Sequence, residues 1–83
     1  MYYVYVIRNE TDEFYIGYTA NLNKRLAGHN AGMSQSTKGH QWEIVYFEAY
    51  VNERYARKRE QSLKRNRRMN KFLMERVKES LSY

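Results

Sequence analysis

The chain has 83 residues and a mass of 10.1 kDa, contains neither cysteine nor proline, and carries a net charge of +6 at pH 7. A chain of this length is expected to form one small domain, residues 1–83, and the absence of cysteine excludes a disulfide framework and a thiolate metal site. The N-terminal apolar run is short and interrupted by Arg8, so we expect neither a signal peptide nor a membrane span, and a soluble cytoplasmic protein.

Two tyrosine-rich runs at the start of the chain predict a β-hairpin. The first strand covers Tyr2–Arg8, the second covers Phe14–Tyr18, and the polar segment NETDE between them indicates a turn. Both faces of the first strand are apolar or aromatic, so we expect it to be covered on both sides. Gly17 inside the second strand has two interpretations, a β-bulge or room for a phosphate backbone.

A helix is predicted next, with Thr19 as its N-cap and an end near Asn30. Helical spacing predicts that one face carries Leu22, Arg25, Leu26 and His29. A cation and an imidazole therefore share a stripe with two leucines.

A polar loop, residues 33–41, has no periodicity and is expected to be mobile. A third strand, Trp42–Val51, follows and is expected to pair with the hairpin. Strict alternation predicts one face made of Trp42, Ile44, Tyr46, Glu48 and Tyr50.

The remaining residues predict two helices. The first, Glu53–Arg65, is capped by Asn52, and the second covers about Lys71–Leu81 after a break at Asn66–Asn70. The complete set predicts an α+β fold, within the broad α/β class, in which a three-stranded antiparallel sheet is flanked by about three helices.

The positive charge is concentrated in the C-terminal part. Residues 1–52 carry four Lys or Arg and five Asp or Glu, a net charge of −1, whereas residues 53–83 carry 11 Lys or Arg and four Glu, a net charge of +7. This asymmetry favours a polyanionic partner such as nucleic acid. The alternative is a solvated basic helix that only aids solubility.

Glu60 is a candidate metal ligand because helical spacing places it on the apolar stripe of its helix, between Ala56 and Leu63. A carboxylate in that position must be paired or must bind a cation. Spacing alone favours an ion pair with a neighbouring arginine, and the alternative is Mg²⁺, which often takes only one or two carboxylates.

Arg25 and His29 have a structural and a functional interpretation each. Arg25 either pairs with an acid at the sheet, such as Glu48, or clamps a phosphate with its planar guanidinium. His29 is either a hydrogen-bonded core residue or a general acid or base. Tyr5 and Tyr15, on adjacent predicted strands, are packing residues or phenols that would need a nearby cation to act as a base.

The motifs resemble those of the GIY-YIG nuclease family. Tyr3-Val4-Tyr5 stands where the family has its GIY, Tyr15-Ile16-Gly17 is a literal YIG, and the segments TANLNKRLAGHNAG and AYVNERYARKREQSLK follow at the spacing of small standalone members. Tyr3 departs from the glycine that names the first motif.

The resemblance implies metal-dependent cleavage of phosphodiester bonds and assigns roles by position. Tyr5 and Tyr15 would be the site tyrosines, Arg25 would stabilise the phosphate, and Glu60 would bind Mg²⁺ or Mn²⁺. His29 matches a histidine of many small members, and a late asparagine of the family corresponds to either Asn66 or Asn70. The basic side chains expected to contact nucleic acid are Lys38, Arg57, Lys58, Lys64 and Arg65.

The function expected from these features is an endonuclease acting on nucleic acid, DNA before RNA. The alternative is a nucleic-acid-binding module on the same fold that does not cut. Glu60 separates the two, because phosphate binding alone does not require a carboxylate at that position.

Overall fold

The computed structural model describes residues 1–82. Tyr83, the last residue of the predicted domain, lies outside the described residues. The elements in chain order are β1 (Tyr2–Asn9), β2 (Phe14–Thr19), α1 (Leu22–Asn30), β3 (Trp42–Tyr50), α2 (Glu53–Arg65) and α3 (Arg67–Leu81). They form the predicted α+β fold, in which one antiparallel sheet is flanked by three helices. No helix within residues 1–82 is both long enough and apolar enough to cross a bilayer.

The predicted hairpin is present, and it forms two of the three strands of the sheet. The strand order is β2-β1-β3, so β1 is central and pairs antiparallel with both neighbours. The turn is organised by Asn9, whose side-chain oxygen accepts hydrogen bonds from the backbone of Thr11 at 2.9 Å and of Glu13 at 3.0 Å. Asp12 adopts the left-handed conformation that such turns use, with φ of 61°.

Strand β1 is covered on both faces, as its sequence predicts. Val4 and Val6 pack with Leu63 of α2 and Val77 of α3 in one apolar cluster. Tyr5, Ile7 and Trp42 form a second cluster on the opposite face, and Leu22 and Leu26 of α1 pack against it. The sheet is therefore the middle of three layers, with α1 on one side and α2 and α3 on the other.

The predicted alternation of β3 is wrong beyond Ile44. The pairing of β1 with β3 shifts between Val6 and Ile7, because Val6 faces Tyr46 whereas Ile7 faces Ile44. The extra residue, Val45, exchanges the two faces of the strand, as a β-bulge does. Trp42 and Ile44 therefore lie towards α1, and Tyr46, Glu48 and Tyr50 lie towards α2.

Two helix boundaries also differ from the prediction, and both differences concern caps. Thr19 remains in β2, where it pairs with Tyr3, and Asn21 caps α1 by accepting a hydrogen bond from the Lys24 backbone at 3.1 Å. The break between α2 and α3 is Asn66 alone, which ends α2 and caps α3. Asn52 caps α2 as predicted.

The α2 layer is held to β3 by a polar cluster around Glu48. Arg59 donates two hydrogen bonds of 2.9 Å to this carboxylate, and the hydroxyls of Tyr46 and Tyr50 donate two more at 2.6 and 2.7 Å. Arg25 is therefore not the partner of Glu48, which corrects the structural alternative considered for that arginine.

We expect the Glu48 cluster to make the fold sensitive to acid. Burial alone would raise the pKa of Glu48, but the hydrogen bonds from Arg59, Tyr46 and Tyr50 outweigh it and lower the pKa to about 2, from 4.5. Because the folded-state pKa is depressed, this stabilisation is present above pH 4.5 and is lost as the pH falls towards 2.

Glu48→Gln should lower the free energy of unfolding at pH 7 by about 2–3 kcal/mol, because it leaves the Arg59 guanidinium without its charge partner. The substitution should also reduce the loss of unfolding free energy as the pH falls, which urea unfolding between pH 7 and 3 will measure. The exposed Glu43→Gln is the control and should cost less than about 1 kcal/mol. Equal losses in the two variants would contradict this role for Glu48.

Candidate active site

Five of the residues singled out in the sequence meet at the edge of the sheet formed by β2. Tyr5 lies in the middle of β1, Tyr15 lies on β2, Arg25 and His29 lie one turn apart on α1, and Glu60 lies on α2. Their hydrogen bonds, ring contacts and charges connect them through neighbouring side chains. The sheet edge thus brings α1 and α2 to the same site from opposite faces.

The centre of the site is the phenol of Tyr5, which is 2% exposed. Its oxygen lies 2.7 Å from Nε2 of His29, and Arg25 donates to it from Nε at 3.3 Å. Gly17 is the cross-strand partner of Tyr5, and a Cβ atom at Gly17 would overlap the Tyr5 hydroxyl. Neither interpretation of Gly17 was correct, because the β1–β2 pairing has no bulge there and the Tyr5 ring fills the space.

His29 extends this hydrogen-bond row into the loop after α1. Its Nδ1 lies 2.7 Å from the hydroxyl of Thr37, and Thr37 also accepts a 2.8 Å hydrogen bond from the indole of Trp42 on its backbone oxygen. His29 and Thr37 are both fully buried. The loop predicted as mobile is therefore anchored at its middle. Thr37 is a site neighbour that no periodicity or motif indicates.

The row contains one hydrogen bond of fixed direction, because Arg25 can only donate and the Tyr5 oxygen therefore accepts from it. The direction of the two bonds of His29 depends on its tautomer. In the tautomer that carries the ring hydrogen on Nδ1, His29 donates to Thr37 and its Nε2 lone pair faces the Tyr5 hydroxyl. In that tautomer Nε2 is a base positioned to receive the phenol proton.

Burial keeps both groups of this pair neutral near pH 7. It raises the pKa of Tyr5 above the ordinary value of 10.0, and the opposing effect of Arg25 is smaller. It also lowers the pKa of His29 below 6.5, with a further contribution from the charge of Arg25. The cation beside Tyr5, which the phenol would need in order to act as a base, does not overcome the effect of desolvation on its pKa.

Tyr15 connects the Tyr5 row to α2. Its ring packs edge-on against His29, with 5.3 Å between ring centroids, and the ammonium of Lys64 lies 5.1 Å from the Tyr15 ring centroid. Lys64 is also 3.3 Å from an oxygen of Glu60. Within residues 1–82 the Tyr15 hydroxyl makes no hydrogen bond, in contrast to the Tyr5 hydroxyl.

Glu60 lies at the mouth of the site, with 19% of its side chain exposed, and its charge contributes to the raised pKa of Tyr5. Its ion-pair partner is Lys64 rather than the arginine that spacing favoured. Residues 1–82 hold no group of three or more His, Cys, Asp or Glu placed to bind a metal ion together. One accessible carboxylate fits Mg²⁺ or Mn²⁺ that takes its other oxygens from phosphate and water, and it does not fit an all-protein metal cage.

The other predicted nucleic-acid contacts lie outside this cluster. Lys38 is exposed in the loop, and Arg57 pairs with Glu53 at 3.9 Å and lies over the Tyr18 ring. The basic side chains around a hollow of about 600 Å³ at the α2–α3 junction are Lys58, Arg65, Arg67 and Arg68.

Asn66 and Asn70, the two candidates for a late site asparagine, have structural partners instead. Asn66 caps α3, and the Asn70 amide donates to the backbone oxygen of Leu63 at 3.1 Å. Neither is in a hydrogen bond with the Tyr5 row within residues 1–82.

Residues 1–73 match the family of the GIY-YIG catalytic domain, so the chain belongs to this nuclease family. Its relatives are small proteins of similar length. They include UPF0213 proteins from Clostridium perfringens, 38% identical over 87% of this chain and 80% of the relative, and from Staphylococcus haemolyticus, 35% identical over 88% and 92%. Another, from Listeria innocua, is 34% identical over 95% of this chain and 92% of the relative. No solved structure matches the chain.

Proposed function

We propose that this chain is a divalent-metal-dependent endonuclease that hydrolyses phosphodiester bonds of nucleic acid, with DNA as the expected substrate. The observation that supports it most is the hydrogen-bonded row Arg25–Tyr5–His29, because it combines an anion-binding cation, a phenol and a neutral base. Membership of a nuclease family supports the same reaction class.

Arg25 is the proposed phosphate clamp. It forms no ion pair within residues 1–82, although it is half-buried, and only its Nε is engaged by Tyr5. Its terminal nitrogens are then available to two nonbridging phosphate oxygens. The charge on those oxygens grows as water attacks, so this contact strengthens in the transition state.

Tyr5 and His29 provide the proposed path for the proton. Hydrolysis forms a bond from the water oxygen to phosphorus and breaks the bond from phosphorus to the leaving oxygen. The Tyr5 oxygen takes a proton from the water while its own hydrogen passes to Nε2 of His29. The step therefore forms no free phenolate, which the raised pKa of Tyr5 disfavours. After the product leaves, the buried imidazolium returns the proton through the Tyr5 oxygen to the water that replaces the product, and the leaving oxygen takes a proton from solvent.

Glu60 is the proposed ligand for Mg²⁺ or Mn²⁺. A bound cation would neutralise negative charge that develops on the leaving oxygen. The Lys64 ammonium now neutralises the Glu60 carboxylate from 3.3 Å, and a bound divalent cation would replace it in that role.

The test is a cleavage screen over labelled single-stranded, duplex, flap and four-way DNA and over RNA. Cleavage should require Mg²⁺ or Mn²⁺ and should stop in EDTA. Binding without cleavage of any substrate would instead support the non-catalytic binding module.

The proton path predicts the acid limb of the pH–rate profile. His29 accepts a proton only when neutral, and burial lowers its pKa below 6.5. The acid-side midpoint of kcat/KM should therefore lie below pH 6.5. A midpoint above that value would show that His29 is not the acceptor.

The basic face of α2 should make binding sensitive to salt. Reversing Arg57, Lys58 and Arg65 to Glu should weaken binding to all sequences alike and lower the slope of log Kd against log salt by about 2 to 3, through lost counterion release. Fluorescence anisotropy in EDTA measures it, with Lys71→Glu and Lys78→Glu on α3 as the control. An unchanged slope would mean that the basic face is only solvated.

A further inference from the structure

A pair of aromatic rings, a half-buried Tyr3 and an exposed Phe47, lies on the same sheet face as Tyr5. Tyr3 precedes Tyr5 by two residues on β1, and Phe47 is the cross-strand neighbour of Tyr5 on β3. Their rings meet edge to face, 5.9 Å apart at an interplanar angle of 70°, and Phe47 is 52% exposed. In such an arrangement one face of each ring can remain uncovered. The exposed Phe47 ring therefore offers a flat apolar surface beside the proposed active site, with the Tyr3 ring set at 70° to it.

This surface continues into a groove that carries positive charge. Thr19, the cross-strand neighbour of Tyr3, lines one end of a groove of about 550 Å³ along α1. Lys24 and Arg25 line the same groove, and none of its eight described lining residues is acidic. A nucleic-acid strand could therefore place phosphates along Lys24 and Arg25 while its bases face the aromatic pair.

We propose that Tyr3 and Phe47 form a stacking subsite for one unpaired nucleobase next to the phosphate held at Arg25. This inference rests on the proposed function and names its substrate class, a single-stranded or unpaired segment. Residues two apart on a strand are separated by about 6.7 Å, so a base on Tyr3 lies within roughly one nucleotide of a phosphate at Tyr5.

Two physical arguments select a nucleobase as the occupant. Stacking of a base needs only one flat ring face, and the exposed Phe47 ring supplies one. A stable protein interface needs much more, roughly 800 Å² buried on each partner. The cations along the neighbouring groove also match a polyanion. In a duplex each base is already stacked on both faces, so a base reaches Tyr3 only after leaving the stack.

The test compares the double variant Tyr3→Leu/Phe47→Leu with the control Tyr55→Leu/Phe72→Leu. Tyr55 and Phe72 are 62% and 61% exposed on α2 and α3 and lie outside the aromatic pair. Affinity is measured by anisotropy in EDTA for a single-stranded oligonucleotide and for its duplex. A single 2-aminopurine in each provides a second readout, because stacking on an aromatic ring quenches its fluorescence.

We expect the Tyr3/Phe47 variant to bind the single strand roughly 10-fold or more weakly and to lose the added quenching, with a change below about 2-fold for the duplex. The control should match the parent on both substrates. Equal loss on both substrates, or no loss on either, would overturn the subsite. These assays need no cleavage. A parent protein that stacks bases but does not cut would therefore contradict only the proposed nuclease function. A parent protein that cuts, with both double variants binding as tightly as the parent, would contradict only the subsite.

Discussion

Tyr5→Phe is expected to reduce the single-turnover rate of cleavage by roughly 10²–10⁴-fold, the range for loss of a general acid or base. The variant keeps the ring that fills the space above Gly17 and removes only the hydroxyl between Arg25 and His29. Substrate affinity should change much less than the rate, because Arg25 still faces the phosphate. Quenched-flow or manual time courses with Mn²⁺ and saturating protein will measure the rate directly.

Tyr46→Phe is a matched control for this prediction. It removes a half-buried hydroxyl that donates to Glu48 at 2.6 Å, in the layer between the sheet and α2. Both variants should lose some stability, on the order of 1–3 kcal/mol, but only Tyr5→Phe should lose turnover. If Tyr15→Phe shows the large loss and Tyr5→Phe does not, the free phenol of Tyr15 is the group that takes the proton.

Glu60→Gln is expected to abolish metal-dependent cleavage while the fold is retained. The substitution keeps the shape of the side chain but removes the single carboxylate at the mouth of the site. Calorimetric titration with Mn²⁺ in the presence of an oligonucleotide, after subtraction of the titration of the oligonucleotide alone, should show a metal-binding event for the parent chain and none for Glu60→Gln. Carrying out the titration in the Tyr5→Phe background keeps the substrate intact.

The competing role for Glu60 is the ion pair with Lys64, and it predicts a different pattern. An ion pair four residues apart on a helix contributes about 0.3–0.5 kcal/mol when exposed, and Lys64 is exposed whereas Glu60 is half-buried. Loss of the pair would therefore lower the stability and leave metal binding unchanged. The exposed Glu75→Gln on α3 is the control for a lost carboxylate. Retained cleavage by Glu60→Gln would remove this residue from the site.

The hairpin and the helices could be predicted because their signals are local, whereas the roles of the site residues came from the family resemblance and stay predictions. The alternating aromatic runs identify β1 and β2, and the spacing of Arg25 and His29 places both on the covered face of α1. Gly17 was recognised as unusual, but the reason that a glycine is required there is the ring of Tyr5 on the neighbouring strand. A cause of this kind depends on cross-strand register, which a single sequence does not reveal.

Other features depended on contacts between segments far apart in the chain. The bulge at Val45 exchanges the faces of β3, so it moved Glu48 away from Arg25 and towards Arg59. Thr37 lies in a loop without periodicity, and only its contact with His29 gives it a role. The raised pKa of Tyr5 likewise follows from burial under α1, which outweighs the neighbouring cation.

A double-variant cycle over Tyr5 and His29 tests most directly whether these two residues act as one proton path in a phosphodiesterase. His29→Gln can still hydrogen-bond to Tyr5 but cannot accept a proton. Single-turnover cleavage of one oligonucleotide with Mn²⁺ is compared for the parent, Tyr5→Phe, His29→Gln and the double variant. Residues that act as a unit give non-additive losses, so the double variant should cut about as slowly as the slower single variant. Losses that multiply, or a parent that does not cut, would contradict the account.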